Sequence, residues 1–102
     1  MPAKGMLVRE NWRLLNSPAP QTVVTSAVQA VSAVLGAYEI LLQVDVDTFI
    51  REDTDANLTA TAVSATNGHF VPAGAAWTLI VDPGNKIGAI SANGNLYISA
   101  LG

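Results

Sequence analysis

The chain of 102 residues has no cysteine, a single histidine, six aromatic side chains and thirteen per cent charged residues. Each shortage excludes something. Without cysteine there is no disulfide staple and no thiolate chemistry. With His69 as the lone imidazole, the usual zinc ligand sets cannot assemble within one chain. A serine–histidine nucleophile pair would need His69 beside a serine and an orienting acid, and no local sequence suggests one. Long apolar runs are missing too. The most apolar window, residues 23–42, is interrupted by Thr25, Ser26, Gln29, Ser32 and Glu39, which argues against a membrane span. The opening MPAKGMLVRENW has no apolar stretch of signal-peptide length, so the expectation is a protein made and used without export.

Apolar residues make up half of the chain, but they are small: sixteen alanines stand against two each of tryptophan, tyrosine and phenylalanine. At roughly 25 cal/mol per Å² buried, alanine contributes little. A domain of this size is marginally stable alone, so burial against other chains is expected to add to its stability. Charge is unevenly placed. Residues 1–20 carry Lys4, Arg9 and Arg13 against Glu10, net +2, and residues 21–102 carry Arg51 and Lys86 against seven acids, net −5. An acidic body without a basic stripe disfavours nucleic acid.

The most informative stretch is Tyr38 to Arg51. Every second residue places Tyr38, Ile40, Leu42, Val44, Val46, Thr48 and Ile50 on one side, with Glu39, Gln43, Asp45, Asp47 and Arg51 among those on the other. Alternation of this kind is a β-strand with one dry face. Its length predicts a break near Asp45–Asp47, because strands usually run about 5–6 residues. Upstream, residues 21–36 offer a partial helical stripe (Val24, Val28, Val31, Leu35), but also five valines, two threonines and a period of three, Ala-Val-x. Their β-branched content favours strand. Downstream, a polar loop (residues 52–57) leads into a weakly alternating stretch to Thr66. Then Asn67-Gly68, Pro83-Gly84 and Asn93-Gly94 read as turns between short strands at His69–Val71, Ala76–Val81, Lys86–Ser91 and Leu96–Leu101. Trp77, Leu79 and Val81 share one face, as do Leu96, Ile98 and Ala100, and both sets are candidate core. The expected fold is all-β: a small jelly-roll-like sandwich or barrel of about seven to eight strands over residues 21–102, with an extended arm over residues 1–20.

That arm is bracketed by Pro2, Gly5, Pro18 and Pro20 and is too apolar for a free tail. Fully extended it reaches about 65 Å at roughly 3.3 Å per residue. Met6, Leu7, Val8, Arg9, Trp12, Arg13, Leu14 and Leu15 are its candidate protein-contact residues, with Trp12 the expected anchor on a neighbouring subunit. The alternative is that the arm folds back to cap its own sheet. Asp53-x-Asp55-x-Asn57 copies the opening of a calcium loop, but Leu58 and Ser64 stand where glycine and a bidentate glutamate belong, so a solvated turn is expected. Asp45 and Asp47 are read as water-facing or edge-protecting residues rather than cation ligands. Trp77 is read as core or subunit contact in preference to a sugar platform. No catalytic residue, metal or cofactor is assigned.

One resemblance runs through the last third of the chain. His69-Phe70-Val71-Pro72-Ala73-Gly74, then Trp77-Thr78-Leu79-Ile80-Val81, Gly84-Asn85-Lys86-Ile87-Gly88-Ala89-Ile90 and Gly94-Asn95-Leu96-Tyr97-Ile98 resemble the corner and strand motifs of small head decoration proteins of tailed bacteriophages, also called cement or capsid-stabilising proteins. Together with Phe49-Ile50-Arg51 the similarity spans roughly residues 26–102, and residues 1–25 lie outside it. The resemblance implies a virion protein made in the host cytoplasm and seated on the capsid surface. It would be a homotrimer with the major capsid protein as partner, and no enzyme. It implies no nucleic acid, membrane or small-molecule substrate. The rival reading is a receptor- or glycan-binding module of a head spike or tail fibre, recognising a host through residues 52–67. A small cupin-like enzyme would need metal ligands the chain lacks.

Overall fold

A computed structural model describes residues 13–102. The fold is an all-β sandwich of two four-stranded antiparallel sheets, with one short helix. The strands are β1 (Gln21–Ser26), β2 (Ala30–Val31), β3 (Glu39–Val44), β4 (Thr48–Asp53), β5 (His69–Val71), β6 (Ala76–Ile80), β7 (Lys86–Ser91) and β8 (Asn93–Leu101), and helix α1 (Asp55–Ala60) lies between β4 and β5. The first sheet has the order β1-β8-β3-β6 and the second β2-β7-β4-β5. The pairs β1·β8, β2·β7, β3·β6 and β4·β5 nest like the rungs of one long hairpin. Rolling that hairpin brings β8 against β3 and β7 against β4.

The alternation from Tyr38 to Arg51 becomes β3 and β4, interrupted at residues 45–47 where the chain passes from the first sheet to the second. Ile40, Leu42 and Val44 point inward from β3, and Ile50 and the fully buried Thr48 from β4. They meet Leu96 and Ile98 of β8, Val71 of β5, and Ile87 and Ala89 of β7 in one cluster. Val81 and Ala100 are buried as the alternation requires, while Trp77 and Leu79 are partly buried against the same cluster. Tyr38, assigned to the dry side, is instead exposed, because β3 starts only at the next residue.

Four local expectations are corrected. Residues 21–36 are not one strand: β1 and the two-residue β2 are separated by a crossing between sheets. The threefold period places Val28, Val31 and Val34 at the surface. The stretch after Asp53 is a helix where a loop was expected. Thr54 caps it, its Oγ1 accepting from the Asn57 N–H at 3.1 Å, with Asp55 in the first turn. Asn93-Gly94 is not a turn, since both residues pair with β1 at the start of β8. Glycine is required there for space: a Cβ on Gly94 would collide with Val46 and with the Asp45 carboxylate. Asp45 and Asp47 do not line a strand face either. They sit in the β3–β4 crossing, where Asp45 accepts from the Asn95 backbone at 2.7 Å and Asp47 from the Ala73 backbone at 2.9 Å.

The described end of the arm is stitched to the body. Leu14 forms a bridge opposite Leu101; the Leu15 N–H donates to Ala100 and the Gly102 N–H to Arg13, both at 2.9 Å. Residues 16–20 loop out between this contact and β1. Pro18 in that loop packs on Gly36, whose φ of +67° is a conformation glycine adopts freely.

Candidate functional site: an uncovered sheet face and an open flank

The two sheets have different outer faces. That of the second sheet is roofed by residues 54–68. Leu58, the one buried residue of α1, sits over Gly88, where a Cβ would come within 3.0 Å of its Cδ2. Gln29 holds this roof from the β1–β2 connection, its Nε2 donating to Leu58 O at 3.0 Å and its Oε1 accepting from Val63 N at 2.8 Å. Arg51 on β4 donates to the carbonyl of Thr61 at 2.8 Å, just past the helix C-terminus, and Lys86 on β7 pairs with Asp55 at 3.0 Å. Val63 is buried by the same packing.

Among the described residues the first sheet has no comparable roof, and only its far end is covered, where Leu101 is buried beside the bridge to Leu14. Strand alternation and register place Thr22, Val24, Leu41, Thr78, Ile80 and Tyr97 on its outer side, together with Gln43, Asn95 and Ser99. Glu39 is the sole charged residue at an outward position of its four strands. Val24 is 75% exposed and Ile80 83%, and Leu14 extends the same face beside Leu101. Scattered exposed apolar residues are ordinary, whereas several of them here share one almost uncharged sheet face.

The flanks differ as well. Where β1 meets the segment after β2, the sandwich is zipped shut. The Ala33 N–H donates to Gln21 Oε1 at 2.9 Å, and the Thr25 and Ser91 hydroxyls join across the sheets at 2.6 Å. On the opposite flank, between β5 and β6, the sheets part around a cleft of about 500 Å³ lined by His69, Phe70, Trp77, Leu79, Ile80 and Glu52, among others. His69 is the exposed first residue of β5. Glu52 Oε2 is engaged by Asp82 N at 2.8 Å and Asn85 Nδ2 at 3.0 Å.

Of the arm residues predicted as contacts, Met6, Leu7, Val8, Arg9 and Trp12 lie outside the described residues. Arg13, Leu14 and Leu15 meet at the end of β8, with Leu14 exposed. Among the described residues no group of three or more His, Cys, Asp or Glu side chains gathers into a metal-holding cluster, and no helix is long and apolar enough to cross a membrane. The acids of the calcium-like loop are occupied locally. Asp53 Oδ1 accepts from Asn57 Nδ2 and from Thr54 N, both at 2.8 Å. Sequence reasoning missed the bare face because its members are spread over four strands, and only the register unites them.

Two carboxylates carry a pH signature. The Asn95 backbone and side-chain donors hold the Asp45 pKa below its ordinary 3.8, and the Asn57 and Thr54 donors do the same for Asp53. A pKa lowered by folding stabilises the native state above the unfolded value and loses that contribution as pH falls through the folded one. The melting temperature should therefore be flat from neutral pH to about 5 and decline below about 4. Asp45→Asn should make that acid decline shallower; an identical slope in wild type and variant would refute the assignment.

No family model matches the chain, and searches of curated proteins and of solved structures give no match.

Proposed function

We propose that the chain is a virion structural protein that decorates and cements the outer surface of an icosahedral capsid, bridging major capsid protein subunits. The observation that carries this reading is the nearly uncharged outer face of the β1-β8-β3-β6 sheet, which the described residues leave without the roof its counterpart has. A sheet face of mixed apolar and uncharged polar side chains suits many shallow contacts more than one deep pocket. The nested strand order fits the jelly-roll that the decoration-protein resemblance implies. Its corner motif, Pro72-Ala73-Gly74, forms the exposed turn between β5 and β6.

The mechanism is physical. A subunit that covers surface on two or more capsid subunits binds the assembled shell and not its dissociated parts. By linkage it stabilises assembly. Several such contacts on one homotrimer raise effective concentration, so individually weak contacts become durable. The cleft with His69 and Trp77 is the feature that favours the second reading, a host receptor- or glycan-binding module.

Sedimentation separates the two. Added to purified capsid shells that lack it, the chain should pellet with them in saturable amounts and should not bind host cells. Binding to cells with no binding to shells would replace the cement reading with the receptor one.

A further inference from the structure

We infer that the cleft between β5 and β6 is a binding site for a small organic cation, an ammonium group carried on an apolar body. Alternation along β4 turns Glu52 to the same side as Thr48 and Ile50, and register sets His69 of β5 opposite Ile50. Across the gap, Trp77 and Leu79 line the inner side of β6, in register with the buried Leu42 and Ile40. Ile50 and Ile87, both buried, close the slot toward the core. The result is an apolar cleft of about 500 Å³ with a carboxylate in its wall. Small-ligand sites have this character: concave, mostly apolar, of about 300–1,000 Å³, with few polar groups that fix orientation.

Charge selects the ligand. The Asp82 N–H and Asn85 Nδ2 donate to Glu52 Oε2 at 2.8 and 3.0 Å, which holds the carboxylate in place. Its Oε1 accepts from no donor among the described residues. The two basic side chains of residues 21–102 are committed elsewhere. Arg51, on the opposite side of β4, donates to the Thr61 carbonyl at 2.8 Å and lies 3.8 Å from Asp53, and Lys86 pairs with Asp55 at 3.0 Å. A half-buried carboxylate without a counter-charge gains most from a positive partner. The net −5 of residues 21–102 adds a field of the same sign.

The rings point the same way. Trp77 and Phe70 both line the cleft, and aromatic side chains attract an ammonium through their π faces. An anion would meet Glu52 as a like charge. A neutral sugar would use the rings and leave the charge unanswered. A cation with an apolar body uses both.

The chain holds two tryptophans, Trp12 and Trp77, so full-length Trp12→Phe reports on the cleft alone through Trp77 fluorescence. The probes are benzylamine, benzyl alcohol and phenylacetate, which share a ring and differ in charge, with methyl glucoside as a neutral sugar. The inference predicts a saturable change with benzylamine at neutral pH, several-fold tighter than with the alcohol and absent with phenylacetate. Glu52→Gln, which keeps an oxygen for Asp82 and Asn85, should erase the preference for amine over alcohol. In the chain that retains Glu52, added salt should weaken the amine several-fold and leave the alcohol unchanged, a measurement that needs no cleft variant. No response from the full chain, equal binding of amine and alcohol, or a preference that survives Glu52→Gln or ignores salt overturns the inference. So does tighter binding of methyl glucoside, which gives the cleft to a neutral sugar. None of these measurements involves a shell. A chain that binds the amine but no capsid refutes the cement reading and leaves this one standing; a chain that pellets with shells and ignores the amine does the reverse.

Discussion

Leu42→Ala is expected to cost about 2–5 kcal/mol of folding stability, the range for a large-to-small change at a fully buried site. The residue is 0% exposed at the centre of β3, in register with Ile98 on one side and Trp77 on the other. Its removal leaves a cavity that the facing sheet cannot close, because both sheets are tied at the zipped flank by Gln21 and Thr25. Small domains are stable by only about 5–15 kcal/mol, so the variant should lose a large part of its margin. For a chain of this size each kcal/mol lowers the melting temperature by about 4–8 °C. Leu41→Ala, one residue away, is the control. Leu41 points to the outer side of the same strand, and its truncation should cost far less. Chemical denaturation of both variants checks the period-two alternation directly; equal losses would mean the strand faces are misassigned.

The second large effect concerns the bare face. Val24→Asp combined with Ile80→Asp places two carboxylates where both native side chains are already exposed, on the outer strands β1 and β6. Folding should be nearly unaffected, since neither position contributes to the core. Binding to a shell should fall by about a hundredfold or more. Desolvating an unpaired carboxylate is expensive, and every 1.4 kcal/mol or so is a factor of ten in affinity. The same number of charges placed on the roof, at Thr59 and Ala62, should leave shell binding intact. The paired comparison by sedimentation separates a loss of surface from a change in net charge.

Much of the fold could be read from local sequence because local physics decides it. β5 and β7 begin and end where Gly-containing turns and apolar content placed them, at His69–Val71 and Lys86–Ser91. The break at Asp45–Asp47 followed from strand length alone. Features set by distant neighbours were not legible. Helix α1 contributes one buried side chain, Leu58, so it has no apolar stripe to detect. Its purpose is visible only with Gly88 and Gln29, which come from elsewhere in the chain. Gly94 looked like a turn residue because Asn-Gly usually is one, yet its glycine is there to admit Val46 and Asp45. The threefold valine pattern had no template because it belongs to a crossing between sheets. The candidate surface was half legible. An unequal charge division and a small core pointed to partners, but which sheet is roofed depends on where the 54–68 excursion lands.

Covering a capsid with this chain should make the capsid harder to open. The decisive measurement is the temperature at which DNA-filled particles lacking the chain release their DNA, recorded as purified chain is added. A rise that saturates with occupancy, and that the Val24→Asp/Ile80→Asp chain fails to produce, is the predicted result. A release temperature that stays constant while the chain is bound would contradict it.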